Sequence, residues 1–297
     1  MTQFKCQRKR LRRKGSRWKI CQLLVLSGVW CLLATAAHAA PPQRIVSLNL
    51  CVDQILVDLV PATRIAAVTH LASDPAVSAA AQKFTDIPST HGAAEDVLAR
   101  NPDLVIAGLF TTPATIDLLR RLGRRVVVVP LPETVAGVRE LIGALAAAVE
   151  APEAGQSLIA AMDARIAASR PRGDQRPSAL VYQINNYVTG RGSLLDEALS
   201  RAGFRNAGRD VTTFSNGKTT LESIVASPPD VLVLATEPGD YATAVGDNLR
   251  HPALAQLRGR LPNLVLPWPL WLCGTHHIAT AIEQLAKARG SIPPVTP

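Results

Sequence analysis

The chain has 297 residues, with 32 lysines and arginines against 23 aspartates and glutamates, for a formal net charge of +9. Nine of those cations, from Lys5 to Lys19, lie in residues 1–40, which contain no acid, so the remaining body has net charge zero. That body lacks the basic footprint of a nucleic-acid binder, and its two cysteines, Cys51 and Cys273, are too few for a disulfide-rich scaffold.

Taken in chain order, residues 1–39 have the three parts of a secretory signal: the basic start, an apolar run from Ile20 to Ala37, and Ala37-His38-Ala39 as an A-x-A cleavage site. Cleavage near Ala39/Ala40 would release a periplasmic protein. A retained anchor is the alternative, because the apolar run nearly reaches bilayer length. Cys31 follows bulky Trp30, which disfavours lipid attachment, and the basic stretch has no good twin-arginine pattern.

The mature chain opens with RIVSL (44–48), a predicted strand, followed by a loop expected over Asn49–Asp53. Next comes EDVLARNPDLVIA (95–107), which returns as ESIVASPPDVLVL (222–234). Glu95 matches Glu222, Ala99 matches Ala226, Pro102 matches Pro229 and Asp103 matches Asp230, with aliphatic residues aligned between them. Each copy starts helix-compatible, is interrupted at Pro-Asp and resumes as the continuous apolar run of a strand covered on both faces.

Further strands are predicted at RRVVVVP (124–130), ALVYQI (179–184) and NLVLP (263–267), with helices at TIDLLRRLG (115–123) and SLLDEALSRAG (193–203). This alternation implies an α/β fold of two lobes, each with a parallel sheet flanked by helices. Between the lobes lies an alanine-rich stretch in which Pro152 can open a helix of about 28 Å, long enough to join them. The expected organisation is a signal at 1–39, an N-terminal lobe at 40–133, a linking helical segment at 134–170 and a C-terminal lobe at 171–297. A single doubly wound sheet is the alternative.

With the blocks RIVSLNLCVDQIL, HGAAEDVLARNPDLVIAG, LLRRLGRRVVVV, GRGSLLDEALSRAGFRNAG, TTLESIVASPPDVLVLA and WLCGTHHIATAIEQLA in this order, the mature chain resembles the periplasmic binding proteins of cobalamin and iron-siderophore importers. The resemblance implies two lobes joined by a rigid helix. It also implies transporter docking through one exposed glutamate per lobe, at the matching positions Glu95 and Glu222. The implied partner is an ABC importer, a permease dimer with its ATPase subunits. The binding protein itself is expected to be a monomer without a cofactor, carrying cobalamin or an iron chelate as cargo. Where the family often has Ser or Thr followed by Glu, this chain has Cys51-Val52-Asp53, a departure at the first-lobe contacts.

Ligands of parallel sheets sit beyond the carboxyl ends of strands, which directs attention to the loops there. Candidate ligand residues are Asn49, Cys51, Asp53, His91, Phe110, Asn186, Tyr187, Phe214, Trp268, Trp271, Cys273 and His276, with Asn216 beside Phe214. Aromatic faces suit a corrin, a porphyrin or catechol arms. Core packing is the competing role for the tryptophans, and a surface or capping role on a helix capped by Thr275 is the competing role for His276 and His277. Cys51 and Cys273 form either a disulfide or a pair of free thiols.

No metal site of the chain's own is predicted, since His70, His91, His251, His276 and His277 lack a ligand spacing. The alternative functions are a haem or free-metal binder of the same architecture, and an exported enzyme using Cys51 or Cys273 with His276 or His277. The sequence contains no G-x-S-x-G elbow and no H-E-x-x-H pair, so it is read as a binding protein and not an enzyme.

Overall fold

The computed structural model describes residues 40–171, 173–211, 217–236 and 244–292. The proposed signal segment and the candidates Phe214 and Asn216 lie outside these residues.

Two parallel sheets form the frame. The first contains β1 (Ile45–Ser47), β2 (Ile65–Thr69), β3 (Ser89–Thr90), β4 (Leu104–Gly108) and β5 (Val126–Val129) in the order β3-β2-β1-β4-β5. The second contains β6 (Ser178–Tyr182), β7 (Arg205–Asn206), β8 (Val231–Leu234) and β9 (Asn263–Val265) in the order β7-β6-β8-β9. Every recorded strand pair is parallel.

The helices of the first half are α1 (Leu50–Leu59), α2 (Ala94–Ala99) and α3 (Pro113–Arg121). α4 (Val135–Ala148) and α5 (Pro152–Ala168) follow between the sheets. The second half adds α6 (Leu194–Arg201), α7 (Gly208–Val211), α8 (Leu221–Ala226), α9 (Pro252–Arg260) and α10 (Ile278–Gly290).

The internal repeat survives at the level of elements: α2 and β4 in the first half recur as α8 and β8 in the second. Its Pro-Asp step has a structural reason. Asp103 accepts hydrogen bonds from the backbone amides of Gln43 (2.6 Å) and Arg44 (3.0 Å), at the entry to β1. Asp230 accepts from the amide and the hydroxyl of Ser178, both at 2.7 Å, at the start of β6. In each lobe the aspartate satisfies backbone donors where the central strand begins, and charged acceptors make such bonds stronger than neutral ones.

Successive residues along the central strands face opposite sides, as pleating requires. Ile45, Leu104 and Ile106 point to the main core, whereas Val46 and Val105 pack in a separate cluster with Val97 of α2 and Leu119 of α3. In the second sheet Ala179, Val181, Val231 and Val233 join the main core, and Leu180, Tyr182, Leu232 and Leu234 pack under Ile224 and Leu254. The main core is continuous between the sheets through α1, α4, α5, α6 and α10. Arg165 of α5 holds Glu283 of α10 at 2.5 Å, and the amide of Val135 donates to Glu197 of α6 at 2.8 Å.

Pro152 opens α5 as expected, and its 17 residues give about 25 Å of helix. Three strands escaped the sequence reading, β2, β3 and β7. The alanines of β2 dilute its apolar signal, and β3 and β7 are two residues each. The loop expected over Asn49–Asp53 is instead the start of a helix. Asn49 is the N-cap of α1, its Oδ1 accepting from the amides of Cys51 (2.9 Å) and Val52 (3.1 Å). A Cβ on Gly108 would lie 2.1 Å from the Asn49 side chain, so glycine is required for this approach.

Candidate functional site

The carboxyl ends of the strands face a region between the lobes. From the first sheet, His70 follows β2, His91 follows β3, Leu109 and Phe110 follow β4, and Leu131 follows β5. Leu109 and Phe110 are 66% and 80% exposed, adjacent large apolar side chains in the loop that follows β4. His70 and His91 are both exposed, and their rings stack with centroids 4.3 Å apart.

Two cavities bridge the lobes. One, about 450 Å³, lies between Leu131–Glu133, Arg191–Ser193 and the Trp271–Leu272 segment. The other, about 500 Å³, lies between Pro75–Val77, Ala235–Thr236 and the Pro267–Pro269 segment. Leu272 lines both, so the segment that follows β9 divides the region into two chambers, Trp271 serving one and Trp268 the other. The two indoles stack at 5.5 Å, and Trp271 Nε1 donates to the Leu266 carbonyl at 3.3 Å. The Trp268 indole N–H is buried without a hydrogen-bond partner among the described residues.

This segment is tied to the first lobe by a disulfide between Cys51, in the first turn of α1, and Cys273, with Cα atoms 5.1 Å apart. Pro132 packs against Gly274 beside it, where a Cβ would approach to 2.8 Å. The free-thiol alternative is thereby replaced. Neither sulfur is available to ligate cargo or to act as an enzyme nucleophile.

Several candidates occupy other places. Asp53 is fully buried, accepting from the Thr69 amide (3.1 Å) and bonded to the Thr69 hydroxyl (2.6 Å). Burial pushes its carboxyl up to about 7, against the opposing effect of bonds from Ser47 and Thr69. It is a core residue and does not reach the cleft.

His276 turns inward to Asp58 of α1, Nε2 to Oδ2 at 3.4 Å, and Lys83 approaches the other oxygen at 2.5 Å. Burial raises the Asp58 carboxyl, but its bonds to His276 and Lys83 outweigh burial and hold it near 2. His277 is the N-cap of α10, and burial, reinforced by adjacent His276, lowers its imidazole to about 3. The surface or capping role expected for the pair thus holds only for the backbone position of His277. Thr275 assists this turn, its hydroxyl accepting from the His277 amide at 3.3 Å.

Asn186 accepts from the Tyr182 hydroxyl at 2.5 Å and lines a third cavity, about 330 Å³, beside Glu222. Tyr187 is 39% exposed with the Lys218 ammonium 4.8 Å over its ring. Glu95 and Glu222 are exposed in the first turns of α2 and α8. Among the described residues no group of three or more His, Cys, Asp or Glu is arranged to hold a metal ion, and no helix is long and apolar enough to cross a membrane.

Residues that the sequence reading did not single out are His70, Glu133, Arg191 and Leu272. His70 was accessible to the rule that ligand loops follow strands, had β2 been recognised.

Asp53 and His277 oppose each other in pH. Asp53 has an ordinary value of 3.8 and holds its proton to about pH 7 in the fold, so between these values stability falls as pH rises. His277 goes from 6.5 to about 3, so over that interval the unfolded chain binds the extra proton and stability rises with pH. Each slope is at most about 1.4 kcal/mol per pH unit. Relative to wild type, Asp53→Asn should gain stability, and His277→Gln should lose it, as pH rises from 4 to 6.5 in urea unfolding. Variants whose stability profiles run parallel to wild type would contradict both assignments.

The profile of the periplasmic binding protein family matches residues 45–258. Among curated proteins no sequence is significantly similar to the chain. Among solved structures it is similar to the periplasmic heme-binding protein RhuT from Roseiflexus sp. RS-1 in apo form, at 26% identity and TM-score 0.68, over 83% of this chain and 97% of that one. A periplasmic heme-binding protein from Pseudomonas aeruginosa aligns at 24% identity and TM-score 0.63, over 86% and 95% of the two chains. A possible iron-binding periplasmic solute-binding protein from Staphylococcus epidermidis aligns at 15% identity and TM-score 0.66, over 84% and 99%, a likeness of fold alone.

Proposed function

The chain belongs to the family of periplasmic binding proteins, and on that premise we propose that it is the solute-binding component of an ABC importer whose cargo is an iron chelate, haem foremost. The observation that carries this reading is the pair of exposed, stacked imidazoles, His70 and His91, at the ends of adjacent strands. Imidazole ligates haem iron, and the exposed Leu109 and Phe110 supply apolar surface for a macrocycle. Arg191, in the first chamber, is the cation there that a haem propionate would meet.

Cobalamin is the second reading. Glu133 and Arg191 cancel within that chamber, which suits an uncharged cargo better than an anionic ferric siderophore. Delivery in either case is binding without a chemical step, and the export signal and the docking glutamates belong to the same reading.

Trp268 and Trp271 are the only tryptophans after residue 40, so their fluorescence reports directly on the chambers. Titration of the mature protein with haem, cobalamin and ferric siderophores should give quenching with haem together with a Soret shift. The shift should disappear in His70→Ala/His91→Ala, whose haem affinity should fall at least 10-fold. Quenching by cobalamin alone would transfer the assignment to the second reading, and binding of none of the three would overturn both.

A further inference from the structure

On the side of the interlobe helices away from the strand ends lies a cavity of about 500 Å³ that the cargo reading does not use. Arg139 of α4, Arg170 beyond the end of α5, Arg176 before β6 and Arg201 of α6 converge on it, over a floor that includes Ile166 and Ala167. Four guanidinium groups from four segments meet in a body whose net charge beyond residue 40 is zero.

Local structure explains part of this. Arg139 is paired with Asp163 through two bonds of 2.9 Å, and Arg201 with Glu197 at 2.6 Å. Arg201 also sits in the last turn of its helix, where a cation complements the free carbonyls. Arg176 donates to the Ser200 carbonyl at 3.1 Å. Among the described residues neither Arg170 nor Arg176 is paired with a carboxylate, and helix termini do not account for Arg139, which lies in the N-terminal half of α4.

Asp163, which also lines the cavity, and Glu197 offset two of the four charges, and Arg170 and Arg176 leave the cavity with an excess of positive charge that attracts an anion. We propose that this cavity binds a phosphate group, because a doubly charged tetrahedral anion offers enough oxygens to engage several guanidinium forks together. Free phosphate esters and the headgroups of anionic phospholipids share this chemistry. The site is independent of the cargo and of its identity.

Calorimetric titration of the mature protein with inorganic pyrophosphate, and sedimentation with phosphatidic acid vesicles against phosphatidylcholine vesicles, tests the proposal. Pyrophosphate should bind with an affinity that falls as salt rises. Arg170→Gln/Arg176→Gln should weaken it at least 10-fold, while Arg170→Lys/Arg176→Lys, which keeps the charge, should retain part of it. Co-sedimentation with phosphatidic acid alone, competed by pyrophosphate, would identify a lipid source, and pyrophosphate binding without sedimentation a soluble one. Absence of binding to both probes would overturn the assignment, as would equal affinity in the glutamine variant. Binding only to polyglutamate would overturn it too, pointing instead to an acidic protein partner.

Discussion

Reversing the charge of Glu95 and Glu222 together should reduce cargo uptake by at least 100-fold while leaving cargo affinity within about twofold. The two carboxylates occupy matching positions, each exposed in the first turn of a short helix in its own lobe. On a two-fold importer each would meet an equivalent cationic patch, and like charge placed at such a contact costs several kcal/mol. The Glu222 carboxyl is held below its ordinary value by its own backbone amide and the Thr220 hydroxyl, so it stays ionised for such a contact. The fold should tolerate the change, because a first-turn acid contributes only about 0.3–1 kcal/mol. Uptake is measured in cells expressing the double lysine variant with its cognate transporter, and affinity with the purified protein. Unchanged uptake would remove the docking role from both residues.

Replacing Cys51 and Cys273 together with serine should lower the thermal midpoint by about 10 °C. The bridge closes a loop of sequence separation 222, for which the chain-entropy estimate is about 5 kcal/mol and the usual measured cost is about 2–5 kcal/mol. In a protein of this size each kcal/mol moves the midpoint by about 2–4 °C. Cargo binding should weaken as well, since the bridge anchors the segment that carries Trp268, Trp271 and Leu272 to α1. The double variant is the proper comparison because a single substitution leaves a reactive thiol. A midpoint within 2 °C of wild type, or two titratable thiols in the untreated oxidised protein, would contradict the bridge's role.

The architecture was largely legible in the sequence because it is encoded locally and repeated. The Pro-Asp step is visible in both halves since each aspartate meets a donor at the entry to a central strand, and the same task selects the same residue. Phe110 stands exposed where a residue following a strand was expected.

The site was less legible because its decisive partners are tertiary. Asp53 looks like a ligand contact until Thr69, from the unrecognised strand β2, is seen to satisfy it. His276 looks like a surface residue until Asp58, more than 200 residues earlier, is found against it. The pairing of His70 with His91 likewise depends on β2 and β3 lying side by side, which their composition does not announce.

The core shared by both sheets also bears on how the molecule comes into being. Ile278, Ala279, Ala281, Ile282 and Leu285 all belong to it, and all lie within the last twenty residues of the chain. A polypeptide made from its amino terminus therefore carries the apolar faces of α5 and α6 still open until α10 arrives. The duplicated halves, alike as they are in plan, share one apolar cluster. Truncation before residue 278 should therefore expose the apolar faces of α5 and α6, read as increased binding of a hydrophobic dye.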